Sequence, residues 1–481
     1  MNIFHLSAEC YPAAKVGGLA DVVGSLPKYL RGQGVEASVI IPKYGTEWIK
    51  NQKFESVFSG KVGLDDSTFS YSVEKEVGDS LGFPLYVAAI PKLFERAGIY
   101  GDPESSWGYE DEADRFFSFQ IAALKWINSL ANKPDVIHCH DHHTALIPFM
   151  ITQCGRFKTL KKIPTVVTVH NAEYQGSYSH EKQKLLPDFD ELKVSLLDWG
   201  GRLNSLAAGL KCCEQITTVS PSYMKELRHN SSGLESLFAV KQNKSRGILN
   251  GIDESVWNPQ TDRYLEHHYV VESISEGKKA NKEVLCDEFN FDSERPLISF
   301  IGRLVAEKGA DLLPDLFASV LKSDKNVSFL VLGTGFPELH ERFEKMSGEF
   351  VGFFDASLHY NEKLAHQIYA GSDFMIMPSR VEPCGLNQMY AMRYGTIPIV
   401  REVGGLKDTV HDISEAGGCG ITFQEFTLED ARQALGRALK LYGTKKEFYD
   451  LRKKNMMLDY SWNASAKKYI KMYSQLIKES L

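Results

Sequence analysis

The sequence lacks the features that mark several common classes of protein. No run of about 18 consecutive apolar residues occurs, so no membrane-spanning helix is expected. No basic segment followed by an apolar one precedes the first strand-like residues, and we therefore expect no secretory signal. The 8 cysteines include no C-x-x-C pair, which argues against a zinc ribbon or a disulfide framework. These observations favour a reducing, cytoplasmic location.

Charge and nucleotide motifs exclude further classes. Lys and Arg number 55 against 62 Asp and Glu, a net charge of −7, and no basic block stands out. Nucleic acid and anionic membranes are therefore not expected partners. No G-x-x-x-x-G-K motif occurs, which argues against a P-loop. The G-x-G-x-x-A at Gly32–Ala37 follows a helical pattern and precedes a strand, the reverse of the dinucleotide-binding order.

The patterning that is present predicts an α/β fold. Short apolar runs alternate with helical periodicity, and the pattern restarts near residue 295 of the 481. Runs that are apolar on both faces suit parallel sheets covered by helices. We predict two Rossmann-like doubly wound domains facing a deep cleft, with ligands outside the carboxyl ends of the strands. The predicted domains are residues 1–250 and 251–462, and an amphipathic helix at 463–481 is expected to pack on the first.

Three loops at predicted strand ends carry the residue types that bind phosphorylated ligands. Glu9–Asp21 contains Lys15 and paired glycines before a helix, a combination that attracts anions. Gly302–Gly309 contains two cations that could converge on one diphosphate. Ser379–Gln388 places Glu382 before the next helix, where it could hold sugar hydroxyls. Taken singly, each loop also matches an ordinary turn with solvated charges or a helix cap.

Histidines are concentrated in one segment of the first half. The residues His138–His143 resemble the H-x-H-x-D-H pattern of metallohydrolases, but the Asp stands one position too early. Alternation along a strand also sends neighbouring side chains to opposite faces. We therefore expect no metal there. His170, at the end of another predicted strand, is a candidate functional residue because of its position.

A family resemblance rests on segments that occur in a fixed order along nearly the whole chain. The segments are Lys15–Val22, His140–Asp141 with His143–Ala145, Thr168–Asn171, Thr218–Tyr223, Leu249–Asp253, Gly302–Gly309, Pro378–Leu386, Arg393–Pro398, Gly404–Thr409 and Tyr460–Trp462. Together they resemble the bacterial glycogen synthase and plant starch synthase family. That family has the GT-B fold of two facing Rossmann-like domains.

The resemblance implies a reaction and a set of residues. It implies metal-independent, retaining transfer of glucose from ADP-glucose to the non-reducing end of an α-1,4-glucan such as glycogen, with UDP-glucose a less expected donor. Two cations would neutralise the leaving diphosphate, and a Glu would hold the glucose hydroxyls. The implied catalytic residues are Asp141, His170, Arg303, Lys308 and Glu382. The implied donor-binding residues are Lys15, Gly17, Gly18, Asp21, Asn171, Asn250, Tyr360, Gly385 and Leu386.

Four positions depart from the family pattern. His142 stands where a Trp is usual, and Ala207 stands where a Lys is usual. Glu307 adds a negative charge beside the expected diphosphate site, and Phe94 replaces a Tyr that often contacts the donor. None of the four is among the residues that the resemblance makes catalytic.

Three other classes of protein fit the sequence less well. A two-domain oxidoreductase would need a strand–G-x-G-x-x-G–helix segment, which the sequence lacks. A silent glucan-binding protein would be favoured by loss of Lys15, Arg303, Lys308 or Glu382, all of which are present. Sucrose or mannosyl transferases of the same fold commonly carry a second Glu eight residues after the first. Tyr390 stands there, which favours the synthase.

Overall fold

The chain forms two compact units. The computed structural model describes residues 1–64, 67–96, 98–102 and 108–480. Unit 1 comprises Met1–Val219, Met224–Leu249 and the segment that begins at Trp462. Unit 2 comprises Ser220–Tyr223 and Asn250–Ser461. No helix in the described ranges combines the length and the apolar character that crossing a bilayer requires.

Unit 1 is built on a large twisted sheet with helices packed against it. The strands of unit 1 are β1 (Asn2–Leu6), β2 (Glu36–Pro42), β3 (Phe54–Leu64), β4 (Ser67–Glu76), β5 (Leu85–Ala89), β6 (Val136–His140), β7 (Thr165–Val169), β8 (Ser177–Tyr178), β9 (Asp198–Trp199), β10 (Arg202–Asn204), β11 (Gln215–Thr218) and β12 (Ser245–Gly247). The large sheet has the order β12-β11-β7-β6-β1-β2-β5-β4-β3, and a small second sheet has the order β8-β10-β9. The helices are α1 (Gly18–Arg31), α2 (Glu47–Asn51), α3 (Glu112–Ser129), α4 (Leu146–Gln153), α5 (Ser205–Cys212), α6 (Pro221–Glu226), whose first residues are assigned to unit 2, and α7 (Glu235–Val240).

Unit 2 is built on a six-stranded parallel sheet. The strands are β13 (Leu297–Ile301), β14 (Ser328–Leu332), β15 (Phe354–Ser357), β16 (Phe374–Met377), β17 (Ile397–Arg401) and β18 (Ile421–Phe423). Their order in the sheet is β15-β14-β13-β16-β17-β18. The helices are α8 (Ile274–Glu288), α9 (Leu313–Ser323), α10 (Pro337–Glu349), α11 (Glu362–Gly371), α12 (Asn387–Arg393), α13 (Gly404–Thr409), α14 (Leu428–Gly443) and α15 (Lys445–Met456).

Each sheet has a point at which the chain reverses its direction of winding. In unit 1 the chain moves from β1 to β2 on one side and later adds β6 and β7 on the other. In unit 2 it moves from β13 through β14 to β15, and then adds β16 on the opposite side of β13. Loops diverge at such a point and leave a crevice at the carboxyl ends of the strands, where ligands bind in this type of sheet.

The last helix, α16 (Trp462–Ser480), belongs to unit 1 although it follows unit 2 along the chain. Its apolar stripe includes Trp462 and Tyr469, and it joins a buried cluster with residues of α1 and β1. The Ser465 hydroxyl donates a 2.7 Å hydrogen bond to the Leu249 carbonyl. The helix is amphipathic because one stripe faces this cluster while the opposite side is polar.

The predicted α/β class with two Rossmann-like domains is confirmed. The apolar runs form parallel strands because helices cover both faces of the sheets, and β6 and β7 are buried along their whole length. The antiparallel pair β3–β4 at one edge of unit 1 was not expected. Many of its residues are exposed or partly buried, and buried residues such as Val62, Tyr71 and Val73 stand singly among them, so the pair lacks the continuous apolar run that identifies a central strand.

Candidate active site

Two loops of unit 2 meet because their strands are neighbours. β13 pairs with β16, so the loop carrying Lys308 and the loop carrying Glu382 leave adjacent strands at the same edge. The Lys308 ammonium donates to both carboxylate oxygens of Glu382, at 2.7 and 2.8 Å. The Ser379 hydroxyl donates to the same carboxylate at 3.0 Å. Glu382 is 5% exposed, so this is a nearly buried, fully paired carboxylate at the switch point of the sheet.

Two glycines permit this close arrangement of loops. Gly309 has φ of 67°, and a Cβ there would lie 2.1 Å from the carbonyl oxygen of Pro378. Gly404 has φ of 45°, and its Cβ would lie 2.0 Å from the carbonyl oxygen of Glu382. A side chain at either position would push the backbone of the Glu382 loop aside.

Arg303 takes part in a different ion pair. Its guanidinium lies 3.0 Å from Glu307, the acidic departure noted above, and 57% of the Arg303 side chain is exposed. Glu307 therefore partly neutralises Arg303 before any ligand binds. Exposed pairs of this kind are weak, so an anionic ligand could displace the carboxylate at small cost.

The other expected donor residues of unit 2 occupy strand ends and helix starts. Asn250 is buried, and its side-chain oxygen has no hydrogen-bond partner among the described residues. Gly385, with φ of 73°, and Leu386 lie directly before α12. Tyr360 follows β15 and is 75% exposed. An unsatisfied buried oxygen and an exposed aromatic ring are both suited to contact a ligand.

In unit 1, the glycine loop before α1 is held by a residue that the sequence did not single out. One oxygen of Glu9 accepts from the backbone amides of Val16 and Gly17, at 2.5 and 3.0 Å. The other accepts from the Tyr100 hydroxyl at 2.6 Å. Burial raises the pKa of Glu9, and these three donors oppose the rise. The Gly17 amide, expected to contact the donor, is thus already engaged by a carboxylate.

Lys15 and Asp21 form an ion pair in the same region, with 2.7 Å between ammonium and carboxylate. Asp21 lies in the first turn of α1, where a carboxylate is favoured by the helix dipole. Gly18 is the first residue of that helix. The glycine loop therefore presents one exposed cation close to a helix start.

Asp141 organises the loop that follows β7. It adopts φ of 56°, a left-handed conformation that few residues other than Gly, Asn and Asp tolerate. Its carboxylate accepts from the His170 amide at 2.7 Å, and from the amide of Asn171. Asp141 is partly buried, and desolvation of its carboxyl raises the pKa to about 7, with the two amides opposing the rise. The expected catalytic residues of unit 1 are thus linked directly.

We expect Asp141→Asn to change how stability depends on pH. Because the pKa of Asp141 is raised to about 7 in the folded state, the folded chain holds a proton that the unfolded chain has lost. From pH 6 to pH 8 the Asp141 carboxyl therefore loses about 1 kcal/mol of its contribution to stability, after allowance for partial exposure. Asn tolerates the same backbone and carries no titratable proton. Urea unfolding at both pH values should show a change in stability from pH 6 to pH 8 that is about 1 kcal/mol more favourable in the variant than in the wild type, and equal changes would contradict the assignment.

His170 ends a row of buried imidazoles. Its Nε2 lies 3.0 Å from Nδ1 of His140, whose Nε2 lies 3.1 Å from Nδ1 of His5. Burial lowers the pKa of His5 and of His170 to about 3, and those of His138 and His140 well below the ordinary value. All four rings are therefore neutral near pH 7. A neutral His170 is a weak base and is suited to donate or accept a hydrogen bond rather than to hold a proton.

The direction of the hydrogen bonds along the row follows from the position of the proton on His5, the residue at the other end from His170. Nε2 of His5 is buried without a partner among the described residues. A buried N–H without an acceptor is rarer than a buried lone pair, so the proton of His5 belongs on Nδ1. Each ring then donates from Nδ1 to the next, and the network assigns His170 an N–H at Nδ1.

Two of the departures from the family pattern are enclosed in unit 1. Phe94 is fully buried and packs against Tyr44 and Phe116, so its ring is part of the hydrophobic core of unit 1. Ala207 is also fully buried, within α5. His142 contacts Glu112 at 3.3 Å, a pair that sequence spacing does not predict.

The site residues therefore form two groups, each described within its own unit. Arg303, Lys308 and Glu382 belong to unit 2, and Asp141 and His170 belong to unit 1. Each group lies at the carboxyl ends of the strands beside a switch point, the position where sheets of this type bind ligands.

Comparison with known proteins identifies the family. Residues 2–240 match the starch synthase catalytic domain, and residues 281–454 match the glycosyl transferases of group 1. A glycogen synthase of Flavobacterium johnsoniae is 48% identical over 480 residues, covering 100% of both chains. A glycogen synthase of Bacillus cereus is 37% identical, covering 99% of this chain and 100% of the relative.

Solved structures agree with these matches. The catalytic domain of starch synthase IV from Arabidopsis thaliana, bound to ADP and acarbose, has a TM-score of 0.88 and 32% identity, with 99% of each chain covered. A sucrose-phosphate synthase from Thermosynechococcus elongatus shares the fold, with a TM-score of 0.62 and 17% identity. The chain therefore belongs to the family of bacterial glycogen synthases and starch synthases, which are glycosyltransferases.

Proposed function

We propose that this glycosyltransferase moves glucose from ADP-glucose to the non-reducing end of an α-1,4-glucan in the cytoplasm, with retention of configuration. The observation that carries the proposal is the Lys308–Glu382–Ser379 cluster at the switch point of unit 2, where a cation and a fixed carboxylate can receive a phosphate and sugar hydroxyls. The related starch synthase bound to ADP supports adenine over uracil in the donor.

The diphosphate and the glucose of the donor would bind different residues of unit 2. Arg303 and Lys308 would neutralise the diphosphate as the bond between glucose C1 and the phosphate oxygen breaks. Glu382 would hold glucose hydroxyls, and the Gly385 and Leu386 amides would assist. The unpaired oxygen of Asn250 and the exposed ring of Tyr360 are further donor contacts. These cations supply the positive charge for the leaving group, so we propose that transfer needs no metal ion.

Unit 1 would supply the groups around glucose and the acceptor. Lys15, Gly18 and Asp21 would contact the donor, together with Asn171. His170 would hydrogen-bond to the reacting glucose, and Asp141 would hold the His170 loop on the acceptor side. Because burial lowers the pKa of His170 to about 3, it is too weak a base to deprotonate the acceptor hydroxyl.

Because no suitable carboxylate nucleophile stands among the proposed residues, a retaining route implies attack on the face from which the phosphate leaves. Glu382 is engaged by Lys308 and Ser379. We propose front-face attack, in which the acceptor oxygen bonds to C1 on the side that the phosphate leaves. The departing phosphate oxygen takes the acceptor proton, and the transition state has oxocarbenium character.

The test is glucosyl transfer onto glycogen from ADP-glucose and, separately, from UDP-glucose, with EDTA present. We expect faster transfer from ADP-glucose, undiminished by EDTA, and a product that an α-1,4-specific glucosidase removes. Glu382→Ala should abolish transfer, because it removes the carboxylate that fixes glucose and pairs with Lys308. Transfer from neither donor would refute the assignment, and faster transfer from UDP-glucose would refute the choice of nucleotide.

A further inference from the structure

Three possible metal ligands meet in unit 1 beside Asp141. Glu112 is the first residue of α3, and His142 and His143 follow β6. Their ligand atoms all lie within 4.8 Å of one another. Oε1 of Glu112 lies 3.3 Å from Nε2 of His142 and 4.0 Å from Nε2 of His143. Zinc bonds of about 2.0–2.2 Å place neighbouring ligand atoms roughly 3–4 Å apart, so the cluster is close to the required size.

The hydrogen bonds of His142 leave a lone pair on its Nε2 that faces the Glu112 carboxylate. Nδ1 of His142 lies 3.1 Å from the carbonyl oxygen of Tyr174, so Nδ1 carries a proton and donates it. In the neutral ring, Nε2 then directs a lone pair at the carboxylate of Glu112. Two acceptors 3.3 Å apart repel each other unless a proton or a metal ion lies between them.

The surroundings hold His142 and Glu112 as the outer shell of a metal site would, whereas Nδ1 of His143 is buried without a hydrogen-bond partner among the described residues. A metal-binding His usually donates its second nitrogen to a carbonyl, as His142 does to Tyr174. The second oxygen of Glu112 accepts from the Tyr178 hydroxyl at 3.1 Å. The ring of His143 packs 4.8 Å from the ring of Tyr100, which restricts its movement.

Access also favours this cluster over the other group of metal-ligand type in the described part of the chain. His5, His138 and His140 are close enough to share an ion but are completely buried. Both ring nitrogens of His138 are already bonded, to the Tyr473 hydroxyl at 2.6 Å and to that of Thr168 at 2.5 Å. Glu112, by contrast, is 34% exposed, so an ion could enter beside it.

We propose that Glu112, His142 and His143 bind one zinc ion, with water as the fourth ligand. Two imidazoles and a carboxylate in a small, rigid arrangement are ligands that suit zinc. The ion would tie the start of α3 to the turn that carries Asp141, and so stabilise unit 1. It takes no part in glucosyl transfer, so the inference does not rest on the proposed function.

The test compares zinc binding by the metal-free full-length protein and its variants. After dialysis against a chelator, equilibrium dialysis with zinc and elemental analysis should show one tightly bound ion in the wild type. Glu112→Gln keeps the size of the side chain but removes its charge, and His142→Gln removes one ring. Each should weaken binding on the order of 100-fold and abolish the rise in unfolding temperature that zinc gives the wild type.

A histidine–aspartate pair that offers only two possible zinc ligands provides the matched control. His180 lies 2.8 Å from Asp198 on the exposed surface of the same unit, so His180→Gln should bind zinc as the wild type does. Equal zinc binding by Glu112→Gln and the wild type would overturn the proposal. Absence of tight binding by the wild type would also overturn it. Transfer activity is read separately, and we expect Glu112→Gln to retain it.

Discussion

Lys308→Ala is expected to lower the rate of glucosyl transfer by about 1000-fold and to destabilise unit 2 by roughly 3 kcal/mol. The variant leaves the nearly buried Glu382 carboxylate without the ammonium that lies 2.7 and 2.8 Å from its oxygens. It also removes a cation proposed to neutralise the leaving diphosphate. Initial rates with ADP-glucose and glycogen, together with urea unfolding, measure the two effects.

Controls can separate the effect on stability from the effect on chemistry. Lys279→Ala breaks an exposed ion pair of the same unit, 3.8 Å from Glu283, and should change neither quantity appreciably. Combining Lys308→Ala with Glu382→Gln removes the unpaired charge, so stability should recover while transfer stays low. Transfer by Lys308→Ala within tenfold of the wild-type rate would show that this cation does not assist the leaving group.

Unit 1 is expected to unfold in mildly acidic solution, between about pH 6 and pH 5, while it is stable at pH 7.5. Burial lowers the pKa of His5 and of His170 to about 3, and lowers those of His138 and His140 as well. These rings are neutral when folded and gain protons when unfolded, below their ordinary pKa of 6.5. At pH 5.5 each costs about 1.4 kcal/mol of stability, about 6 kcal/mol for four, comparable to the whole stability of a domain.

Calorimetry across this pH range would test the expectation. His5→Asn removes one ionisable ring, so stability should fall less steeply with acid, by about 1.4 kcal/mol for each pH unit. His229→Gln replaces a histidine that is exposed to water, and its acid sensitivity should match the wild type. An unfolding transition that stays the same from pH 7.5 to pH 5 would mean that the histidine row accommodates protons in the folded state.

The sequence predicts the fold class because the central strands are apolar on both faces, a pattern that few other arrangements produce. It also predicts which loops leave the carboxyl ends of strands, since that position depends only on the order of strands and helices. The Glu382 loop is one example, and the structure adds its pairing with Lys308 across 74 residues of sequence.

What the sequence could not supply were contacts between distant segments. Glu9 lies inside a recognised motif, but its partner Tyr100 stands 91 residues away. Glu112 and His142 are 30 residues apart and belong to different elements. Spacing predicts which residues share a face of one helix or strand, whereas these contacts depend on how separate elements pack. One available signal was His142 itself, a departure from the family pattern whose partner only the fold could identify.

The position of α16 has a consequence for how the protein is made on the ribosome. Its residues fill a core shared with α1 and β1, yet they are translated after all of unit 2. The apolar surface of nascent unit 1 therefore stays uncovered while more than 200 further residues, Asn250–Ser461, are added. Unit 2 can fold as soon as it emerges, whereas exposed surface on the waiting segment favours aggregation or chaperone binding. A truncated chain that lacks α16 would leave this apolar surface of unit 1 exposed, and cellular quality control would recognise the exposed surface.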